Sequence, residues 1–568
     1  MGVQFLPEAL MMKYIIVAGG VLSGLGKGIT SASMGLLLTS RGIKTTIVKC
    51  DMYLNIDAGT MNPIEHGEVF VTHDGLETDQ DLGHYERFLN KNLNKTNYMT
   101  NGQIYKQILD NERSLIYGGK CVEPYHVIPP EIISRWQKAG EVNKSDVVIV
   151  ELGGTVGEYE GLLFFEAARR IRLKNPKDII IVLVGYLPMP PSIGELKSKP
   201  LQQAVTNMNS LGIQPDFIVA RAEKRVDDKR KEKISLASGV LTEDIIANPD
   251  LDTIYKVPLV LEDQKFSELI THKLGLKLGK IDLKNWVLFV KQIEKISKKV
   301  KIAMVGKYQK TGDYMLEDSY VCVVEALKHG AWINNVQPEL IWIDSESLEG
   351  KIMNELKEVF KDVDGILVPQ GWGKRGAEGK ILAARFAREN KIPYLGLCFG
   401  MQMATIEYAR NVIGFKDANS IEINPDTSYP VIHIMPNQNQ YLEKKQYGGT
   451  IRLGAWPCVL AKESKLKTIY EKFGDIPSAP WYKPRDSELG NKLIYERHRH
   501  RYEFNNKYKK DFEKSGFIVS GTSPDGILVE AIELSNHPFF VGTQYHPEYL
   551  SRPLTPHPIF VAFIKAMV

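Results

Sequence analysis

The amino-acid sequence predicts an α/β protein with two doubly wound, mainly parallel sheets joined by a helical linker. Short unbroken runs of Val, Ile and Leu, such as residues 179–184, alternate with segments long enough to form helices. Runs of this kind are typical of strands that are buried on both faces of a parallel sheet. The alternation stops at a Lys-rich amphipathic stretch and then resumes. This pattern indicates two domains, one on each side of the stretch.

The predicted elements follow in chain order. The first strands cover residues 13–20, 45–49, 147–150, 179–184 and 217–220. The second series covers residues 300–305, 340–343, 365–368, 393–397 and 539–543. We therefore expect an N-terminal extension (1–11), a first domain (12–277), a linker helix (278–299) and a second domain (300–568).

Composition excludes several classes of protein. The chain has 568 residues, of which 43% are hydrophobic and 25% charged, so it is long enough for several globular domains. A net charge of +4 is too small for this length to indicate a nucleic-acid or membrane partner. The longest apolar stretches fall far short of the roughly 20 residues of a spanning helix, so we expect a cytoplasmic protein. The five cysteines are scattered and form no CxxC pair, which predicts neither a disulfide framework nor a zinc site.

A glycine-rich loop over residues 19–30 follows the first strand and opens a helix. Backbone N–H groups in this setting bind phosphate, and Lys27 can reach the terminal phosphates. Position 28 is glycine, whereas the usual phosphate loop has Ser or Thr there to hold magnesium. A carboxylate must then replace that ligand. The candidates, each of which could instead be a solvated or capping acid, are Asp79, Asp81 and Glu151. The alternative interpretation of the loop is a structural turn.

Cys398 lies between two glycines, directly after a buried strand and before a predicted helix over residues 401–409. This is the setting of a nucleophile elbow, in which the helix N-terminus favours the thiolate. His546 and Glu548 follow a later strand two residues apart. In an extended stretch they point the same way, so Glu548 can orient His546 as a base. The pattern favours a cysteine nucleophile over a buried structural cysteine.

Two further segments complete the predicted site. The loop over residues 369–376 follows a predicted strand, and its Gly371 N–H could form an oxyanion hole with the N–H of Phe399. The alternative is a flexible surface turn. Residues 496–503 are rich in Arg, His and Glu, and their mixed charges without cysteine argue against a metal site. One arginine that binds a substrate carboxylate is the simpler interpretation.

Together these residues closely resemble the CTP synthase family, over nearly the whole chain from about Met12. The resemblance rests on motifs in the right order: GGVLSGLGKG at 19–28, NIDAGT at 55–60, HGEVFV at 66–71, DLGHYERF at 81–88, GGTVGE at 153–158, GMQ at 400–402 and HRHRYE at 498–503. It implies a P-loop-like amidoligase domain followed by a class I glutamine amidotransferase domain. In the family, ATP phosphorylates the 4-oxygen of UTP and ammonia displaces that phosphate to give CTP. The ammonia comes from glutamine through an internal tunnel.

The resemblance also implies roles for individual residues. In the second domain it implies Cys398 as the thioester nucleophile, His546 as its general base and Glu548 as the residue that orients the base. The implied glutamine-binding positions are Gly371, Phe399, Gly400, Met401, Gln402, Glu422 and Arg501. The implied ATP-binding positions are Gly24, Leu25, Gly26, Lys27, Gly28, Ile29 and Asp81, with Lys49 near the phosphates. The implied Mg²⁺ ligands are Asp81 and Glu151. The implied positions for UTP and the feedback inhibitor CTP are Ser23, Glu158, Tyr159, Glu160, Lys197, Ser198, Lys199, Pro200, Leu201, Gln202 and Lys233.

The same resemblance implies activation by GTP and tetramers built through the first domain, and it leaves filament formation open. Several positions depart from the family pattern. The oxyanion loop usually reads Pro-Gly-Gly-Phe-Gly, whereas residues 369–373 read Pro-Gln-Gly-Trp-Gly. Glu158 and Tyr159 stand where Asp and Ile are common, residues 197–202 read KSKPLQ instead of KTKPTQ, and residues 125–131 stray from a Pro-His-x-Thr pattern. We expect these changes to bear on glutaminase efficiency, the GTP response and CTP feedback.

Three hypotheses follow for function. The leading one is an active glutamine-dependent enzyme that aminates UTP. The second is a filament-forming or regulatory subunit, catalytically weak because Gln370 disturbs the oxyanion loop. The third is a related amidotransferase with another acceptor. The joint presence of Lys27, Cys398 and His546 argues against a structural role, and the resemblance of residues 151–202 to a nucleotide site favours UTP.

Overall fold

A computed structural model of the protein describes residues 12–308, 310–311, 314–315, 317–435, 438, 441, 449–472 and 493–568. The predicted extension, residues 1–11, lies outside the described residues. The chain separates into two compact units. The first contains the chain up to residue 57 and residues 84–287, and the second contains residues 58–83 and 288–568. Both units are built from alternating strands and helices, which confirms the predicted α/β class.

The described strands, in chain order, are β1 Lys13–Gly19, β2 Thr45–Asp51, β3 Phe70–Val71, β4 Glu77–Thr78, β5 Tyr98–Thr100, β6 Val147–Leu152, β7 Ile179–Tyr186, β8 Phe217–Ala222, β9 Ile245–Pro249, β10 Lys299–Gly306, β11 Lys310–Thr311, β12 Tyr314–Met315, β13 Gln337–Asp344, β14 Gly365–Val368, β15 Tyr394–Leu397, β16 Ala418–Ser420, β17 Tyr429–Ile434, β18 Arg452–Leu460, β19 Leu493–His500, β20 Tyr502–Phe504, β21 Phe517–Thr522, β22 Val529–Leu534 and β23 Phe540–Thr543.

The described α-helices are α1 Lys27–Ser40, α2 Pro63–His66, α3 Asp81–Leu89, α4 Asn101–Arg113, α5 Pro124–Val142, α6 Leu162–Lys174, α7 Lys199–Ser210, α8 Asp228–Ser238, α9 Val257–Glu262, α10 Phe266–Lys273, α11 Lys284–Ile293, α12 Val321–Ile333, α13 Met353–Val359, α14 Ala377–Asn390, α15 Phe399–Tyr408, α16 Lys465–Lys472, α17 Lys509–Lys514 and α18 Pro558–Lys565. Helix α11 lies within the stretch predicted as a linker and spans the division between the units at residue 287. None of the helices in the described part of the chain has the length and apolar content needed to cross a lipid bilayer.

The first unit is organised around a parallel sheet. Its described strands have the order β5-β2-β6-β1-β7-β8-β9, and every pairing between them is parallel. Strands β1, β2, β6 and β7 are buried along almost their whole length because helices cover the sheet. This burial explains the unbroken apolar runs within β1, β6 and β7. The pairing register sets Lys49 of β2 beside Glu151 of β6 at the carboxyl edge. Ligands bind at this edge in doubly wound folds.

The second unit has a mixed sheet, and this differs from the mainly parallel sheet that the sequence predicts. Its described strands have the order β13-β10-β14-β15-β23-β22-β21-β18-β19. The first five strands pair in parallel and the remaining pairings are antiparallel. Residues 523–528 and 535–539 connect β21 to β22 and β22 to β23. These connections are too short for the crossover that parallel strands require, so the strands reverse direction.

Residues 58–83 belong to the second unit, although the predicted division places them in the first domain. They form the hairpin of β3 and β4, which lies against the second unit's sheet. The Val71 carbonyl accepts a hydrogen bond from Arg497 at 2.9 Å, and the Val69 carbonyl accepts one from the Tyr549 hydroxyl at 2.9 Å. The Ala455 N–H donates to the His73 carbonyl at 2.9 Å. These contacts are non-local, and therefore no sequence pattern around residue 58 announces them.

Candidate active site

Cys398 occupies a strained turn between β15 and α15. Its backbone has φ +50° and ψ −101°, a conformation that is unusual for a residue with a side chain. A Cβ atom on Gly396 would lie 2.7 Å from the Gly400 carbonyl carbon, and one on Gly400 would lie 2.0 Å from the Val368 carbonyl oxygen. Both neighbouring glycines are thus required by close backbone contacts. The geometry is that of the predicted nucleophile elbow.

His546 and Glu548 form a buried pair in the same unit. The Nδ1 atom of His546 lies 2.7 Å from Oε1 of Glu548, and both side chains are almost fully buried. The imidazole stacks on the ring of Tyr549 at a centroid distance of 4.9 Å. The hydrogen bond and the stacking fix the orientation of the imidazole. Its Nε2 atom is buried and has no hydrogen-bond partner within the described part of the chain.

The electrostatics of this pair favour a charged imidazole. Burial by itself lowers the pKa of His546, but the nearby Glu548 carboxylate and Cys398 raise it to about 10. A protonated His546 at neutral pH stabilises a thiolate on Cys398, which is the nucleophilic form of cysteine. The Cys398 Sγ atom also accepts a hydrogen bond from the Gln544 side chain at 3.6 Å. The arrangement can therefore perform acyl transfer through a thioester.

Two buried lysines hold the loop of residues 369–373, which we call the oxyanion loop. The Lys380 Nζ atom donates to the carbonyls of Pro369 at 2.7 Å and Gln370 at 3.3 Å. The Lys307 Nζ atom donates to the carbonyls of Trp372 and, at 3.1 Å, Gly373. Burial lowers the pKa of Lys307 to about 8 and that of Lys380 well below its usual range. The loop is thus fixed on both sides of Gly371, which excludes a flexible surface turn.

The fixed loop can supply one donor for an oxyanion. The carbonyl and the following N–H of a trans peptide point in opposite directions, so the bond from Lys380 to the Gln370 carbonyl sets the direction of the Gly371 N–H. Phe399 is the first residue of α15, and N–H groups in a first helical turn have no acceptor within the helix. A Cβ atom on Gly371 would lie 3.0 Å from Lys307 Cδ, so glycine also leaves room for that lysine.

A cavity of about 280 Å³ lies in the second unit and is lined by groups of opposite charge. Glu422 and Arg501 are both on its wall, together with Trp372 and Tyr502. Burial raises the pKa of Glu422 to about 6, although its hydrogen bond from the Gly373 N–H, 2.7 Å long, opposes the shift. Arg501 donates to Gln438 and Thr450 at 3.0 and 2.9 Å. The cavity's other arginine, Arg499, pairs with Glu77 at 2.8 Å. The Glu422 carboxylate and the Arg501 guanidinium in a single cavity match the ammonium and carboxylate of an α-amino acid.

The other predicted glutamine-binding positions surround Cys398 in different ways. Gln402 is buried and donates to the Tyr502 carbonyl at 3.0 Å and to Gln544 Oε1 at 3.2 Å. Met401 is buried and packs against β23, because a Cβ atom on Gly542 would lie 3.0 Å from its Cβ and Cγ atoms. Phe399 is buried with the Nζ atoms of Lys307 and Lys380 near its ring.

Sequence reasoning missed several residues of this site. Gln544, which bonds to the Cys398 sulfur, directly follows β23 at the carboxyl edge of the sheet, and that place could have identified it. Glu548 lies in a 3₁₀ turn over Pro547–Leu550, so the predicted extended stretch of residues 546–548 is wrong. Lys307 directly follows β10 at the carboxyl edge of the sheet, a place where functional side chains are common. Lys380 lies within α14, where a lysine is usually solvated, and no sequence signal marks it as buried.

The first unit carries the predicted phosphate loop between β1 and α1. Gly24 and Gly26 have φ values of +69° and +80°, a region that favours glycine. Lys27 begins α1, whose first turn contains no acidic residue, and its Nζ atom donates to the Gly154 carbonyl at 2.7 Å. A Cβ atom on Gly19 would lie 2.8 Å from that Nζ. The remaining ATP-loop positions are Leu25 and Gly28, which are buried, and Ile29, which is half-buried. A helix N-terminus with a lysine and no acid suits a phosphate chain.

Glu151 lies at the carboxyl end of β6 with a cation beside it. Its Oε1 atom is 3.2 Å from Lys49 Nζ, and its Oε2 atom accepts a hydrogen bond from the Tyr85 hydroxyl. Lys49 Nζ is also 3.8 Å from Asp51. Each carboxylate oxygen has a second lone pair, and carboxylates are the protein ligands that Mg²⁺ prefers, so Glu151 fits a magnesium ligand. Asp81 begins α3 and belongs to the second unit, whereas Glu151 belongs to the first.

The predicted pyrimidine-nucleotide positions form two groups in the first unit. Ser23 is exposed, Glu158 accepts a hydrogen bond from Thr155 at 2.7 Å, Tyr159 is 87% exposed and Glu160 is exposed. Lys197 lies 3.1 Å from Glu195, which is also 3.1 Å from Arg230, a residue that the prediction omits. The charges of Lys197, Arg230 and Lys233 all lower the pKa of Glu195, with Lys197 contributing most. Lys197 and Arg230 therefore lie beside one carboxylate.

Residues 198–202 differ in exposure. Ser198 is buried and accepts a hydrogen bond from Gln202 at 3.0 Å, Lys199 is exposed and Pro200 is half-buried. Leu201 is only 1% exposed, and a Cβ atom on Gly185 would lie 2.1 Å from its Cδ1. The Leu201 side chain thus belongs to the core, which leaves its backbone for any contact with a ligand.

Comparisons with known proteins agree with both halves of this description. Residues 315–566 match the family model described as glutamine amidotransferase class-I, and residues 13–276 match the one described as CTP synthase N-terminus. CTP synthase of Clostridium kluyveri is 48% identical over 558 residues, covering 98% of each chain. CTP synthase of Bacillus cereus is 46% identical over 559 residues, covering 98% of this chain and 99% of the relative. The solved glutaminase domain of Trypanosoma brucei CTPS with bound acivicin is 36% identical, covers 47% of this chain and 94% of that one, and gives a TM-score of 0.41.

The second unit thus has the fold of a class I glutamine amidotransferase, here joined to the N-terminal half that is typical of CTP synthases. The chain belongs to the CTP synthase family, whose function is the glutamine-dependent conversion of UTP to CTP.

Proposed function

We propose that this chain aminates UTP to CTP at the expense of ATP, with ammonia released from glutamine in its second unit. The observation that carries the proposal is the strained Cys398 beside the buried His546–Glu548 pair, in a chain that also holds a lysine-bearing phosphate loop. A filament-forming subunit without activity would need neither feature. The full-length similarity to CTP synthases favours UTP over another acceptor.

The glutaminase steps follow from the geometry of the second unit. Glutamine binds with its ammonium toward Glu422 and its carboxylate toward Arg501. The Cys398 thiolate attacks the side-chain carbonyl carbon, and the N–H groups of Gly371 and Phe399 bind the resulting oxyanion. The protonated His546 then gives its proton to the departing nitrogen, which leaves as ammonia, and a thioester on Cys398 remains.

Hydrolysis of the thioester completes the glutaminase cycle. Neutral His546 takes a proton from water, whose oxygen attacks the thioester carbon, and glutamate leaves as the thiolate is restored. Glu548 keeps the imidazole oriented and stabilises its charged form through both steps. The two bonds of Lys380 hold the oxyanion loop in place throughout.

The amination steps are assigned to the predicted residues of the first unit. The loop of Gly24–Ile29 holds the ATP phosphates and Lys27 binds the terminal phosphate, which passes to the 4-oxygen of UTP as ADP leaves. Ammonia then attacks C4, the carbon that carries this oxygen, loses a proton and expels phosphate, which gives CTP. Magnesium held by Glu151 would neutralise phosphate charge. The cations Lys197, Arg230 and Lys233 bind the triphosphate of UTP or of the inhibitor CTP.

The finer properties of the family are proposed for this chain by similarity alone. They are activation by GTP, feedback inhibition by CTP, assembly into tetramers and a cytoplasmic location. Nothing in the charge or composition of the chain favours a nucleic-acid partner.

A panel of acceptors tests the proposed function. Purified protein is given MgATP and ammonium together with one acceptor. The acceptor is UTP, another nucleotide that carries a carbonyl group, or a carboxylic acid. We expect amination of UTP to exceed that of every other acceptor by at least about 100-fold in kcat/KM, since a site built to bind the uracil edge leaves polar groups unpaired with the others. Comparable use of another acceptor would favour the alternative of a related amidotransferase.

A further inference from the structure

The carboxylate of Glu68 connects separate parts of the second unit. Its Oε1 atom accepts a hydrogen bond from the Gln370 side chain at 2.7 Å. Its Oε2 atom accepts one from the backbone N–H of Cys322 at 2.5 Å, and the Glu68 N–H donates to the Asp318 carbonyl at 3.0 Å. Glu68 is only 3% exposed. It is thus a buried acid that lies between the oxyanion loop and the start of α12.

The contact with α12 explains how a buried carboxylate is tolerated at this place. Helix α12 has no side-chain cap from its own N-cap residue and no acid in its first turn. Glu68 supplies the missing acceptor from a distant segment, and the positive end of the helix stabilises its charge. Glu68 is therefore held by the helix, independently of its contact with Gln370.

The contact with Gln370 acts on the catalytic backbone. The Gln370 carbonyl is bound by Lys380, and the next N–H, that of Gly371, belongs to the same peptide plane. The bond to Glu68 fixes Gln370 at its side chain as well as at its carbonyl. A glycine at this position, which the family pattern usually has, could make no such bond and would leave the loop more backbone freedom.

We infer that Gln370 is a positioning residue, which ties the oxyanion loop to Glu68 and so keeps the Gly371 N–H aimed for catalysis. The inference rests on the proposed glutaminase function. Glu68 belongs to residues 58–83, which continue at both ends into the first unit of the chain. Glutamine at position 370, where the family usually has glycine, thus makes the oxyanion loop depend on residues 58–83. It does not disturb the loop.

The contact is tested by exchanging the hydrogen-bond donor, Gln370, and the acceptor, Glu68. In Gln370→Glu two carboxylates oppose each other, and we expect the kcat of glutamine hydrolysis to fall about tenfold, with KM changed by less than about twofold. Gln370→Gly adds no charge and should cost about threefold in kcat. The double variant Glu68→Gln/Gln370→Glu should recover most of the lost rate. In it, the new amide at position 68 donates to the new carboxylate and its oxygen still accepts from Cys322.

Two further measurements separate positioning from a merely structural role. The deficit of Gln370→Glu should shrink as the pH falls from about 8 to about 6, because a proton shared by the two carboxylates restores a donor. As a control, Glu339→Gln makes the same replacement as Glu68→Gln at an acid that pairs with Lys299. It should change neither the rate of glutamine hydrolysis nor the rate of ammonium-dependent CTP formation. Ammonium-dependent CTP formation should be equal in all variants, which shows that they are folded.

The outcomes are distinguishable. The single variant Glu68→Gln completes the cycle. A double variant whose fold loss in kcat equals the product of the losses in Glu68→Gln and Gln370→Glu, or a deficit of Gln370→Glu that is independent of pH, would overturn the positioning role. Loss of ammonium-dependent synthesis in the single variants without recovery in the double variant would also overturn it. If the unchanged protein hydrolyses no glutamine, the proposed function itself fails.

Discussion

Replacement of Glu548 by glutamine removes the charge beside His546 without changing the size of the side chain. With its pKa at about 10, His546 at pH 7.5 is uncharged in only about one molecule in 300. If loss of the carboxylate returns the pKa to its ordinary value near 6.5, only about one molecule in ten stays charged. The population able to pair with a Cys398 thiolate then falls about tenfold. An amide also tolerates the wrong tautomer of the imidazole, so we expect kcat for glutamine hydrolysis to fall by about 10- to 10⁴-fold.

Alkylation of Cys398 by iodoacetamide measures this effect directly. Cys121 is exposed whereas the other three cysteines are buried, so the experiment uses a Cys121→Ser background. With Glu548 present, the charged imidazole of His546 should favour reaction of the Cys398 sulfur at neutral pH. In Glu548→Gln the loss of that charge should slow alkylation at pH 7.5 by about tenfold, in step with the charged fraction of His546. An alkylation rate and a kcat that are both unchanged in Glu548→Gln would refute this reasoning.

Three other changes have definite expected outcomes. Lys27→Ala should abolish CTP formation from either nitrogen source while glutamine hydrolysis continues, as measured by CTP and glutamate release; unchanged synthesis would contradict the phosphate-loop assignment. Gly400→Ala places a Cβ atom 2.0 Å from a backbone oxygen, so it should lower the free energy of unfolding in urea by about 1–3 kcal/mol and impair the glutaminase. The pKa of Glu422 is raised to about 6, so this acid is charged above that pH and neutral below it. The KM for glutamine should therefore rise as pH falls below about 6, and Glu422→Gln should show a high KM at every pH; a flat KM in the unchanged protein would exclude Glu422 as the ammonium ligand.

The sequence was informative wherever function depends on residues close together in the chain. The glycines around Cys398 relieve close backbone contacts and those before Lys27 have positive φ angles, so both turns are visible in a few consecutive letters. His546 and Glu548 are also close in the chain, but Glu548 lies in a 3₁₀ turn over Pro547–Leu550 and not in the predicted extended stretch. Five of the seven described strands of the first sheet were predictable, because burial on both faces favours apolar residues, whereas the edge strands β5 and β9 were not predicted.

The rest depends on contacts between distant residues, which no local pattern records. The antiparallel pairings of β21 with β22 and of β22 with β23 follow from short connections, but nothing in the sequences of these strands indicates their direction. Residues 58–83 join the second unit through backbone carbonyls that bond to Arg497 and Tyr549. The sequence marks Gln370 as a departure from the family pattern, but only the structure shows that its partner is Glu68, 302 residues away.

The most direct test of the account is CTP formation from UTP and MgATP by the unchanged protein and by Cys398→Ala, each with glutamine and with ammonium. The unchanged protein should form CTP from both nitrogen sources. Cys398→Ala should form it only from ammonium, because the thiol serves glutamine hydrolysis and the phosphate loop serves amination. Loss of both activities in Cys398→Ala, or CTP formation from glutamine by that variant, would contradict the division of chemistry between the two units.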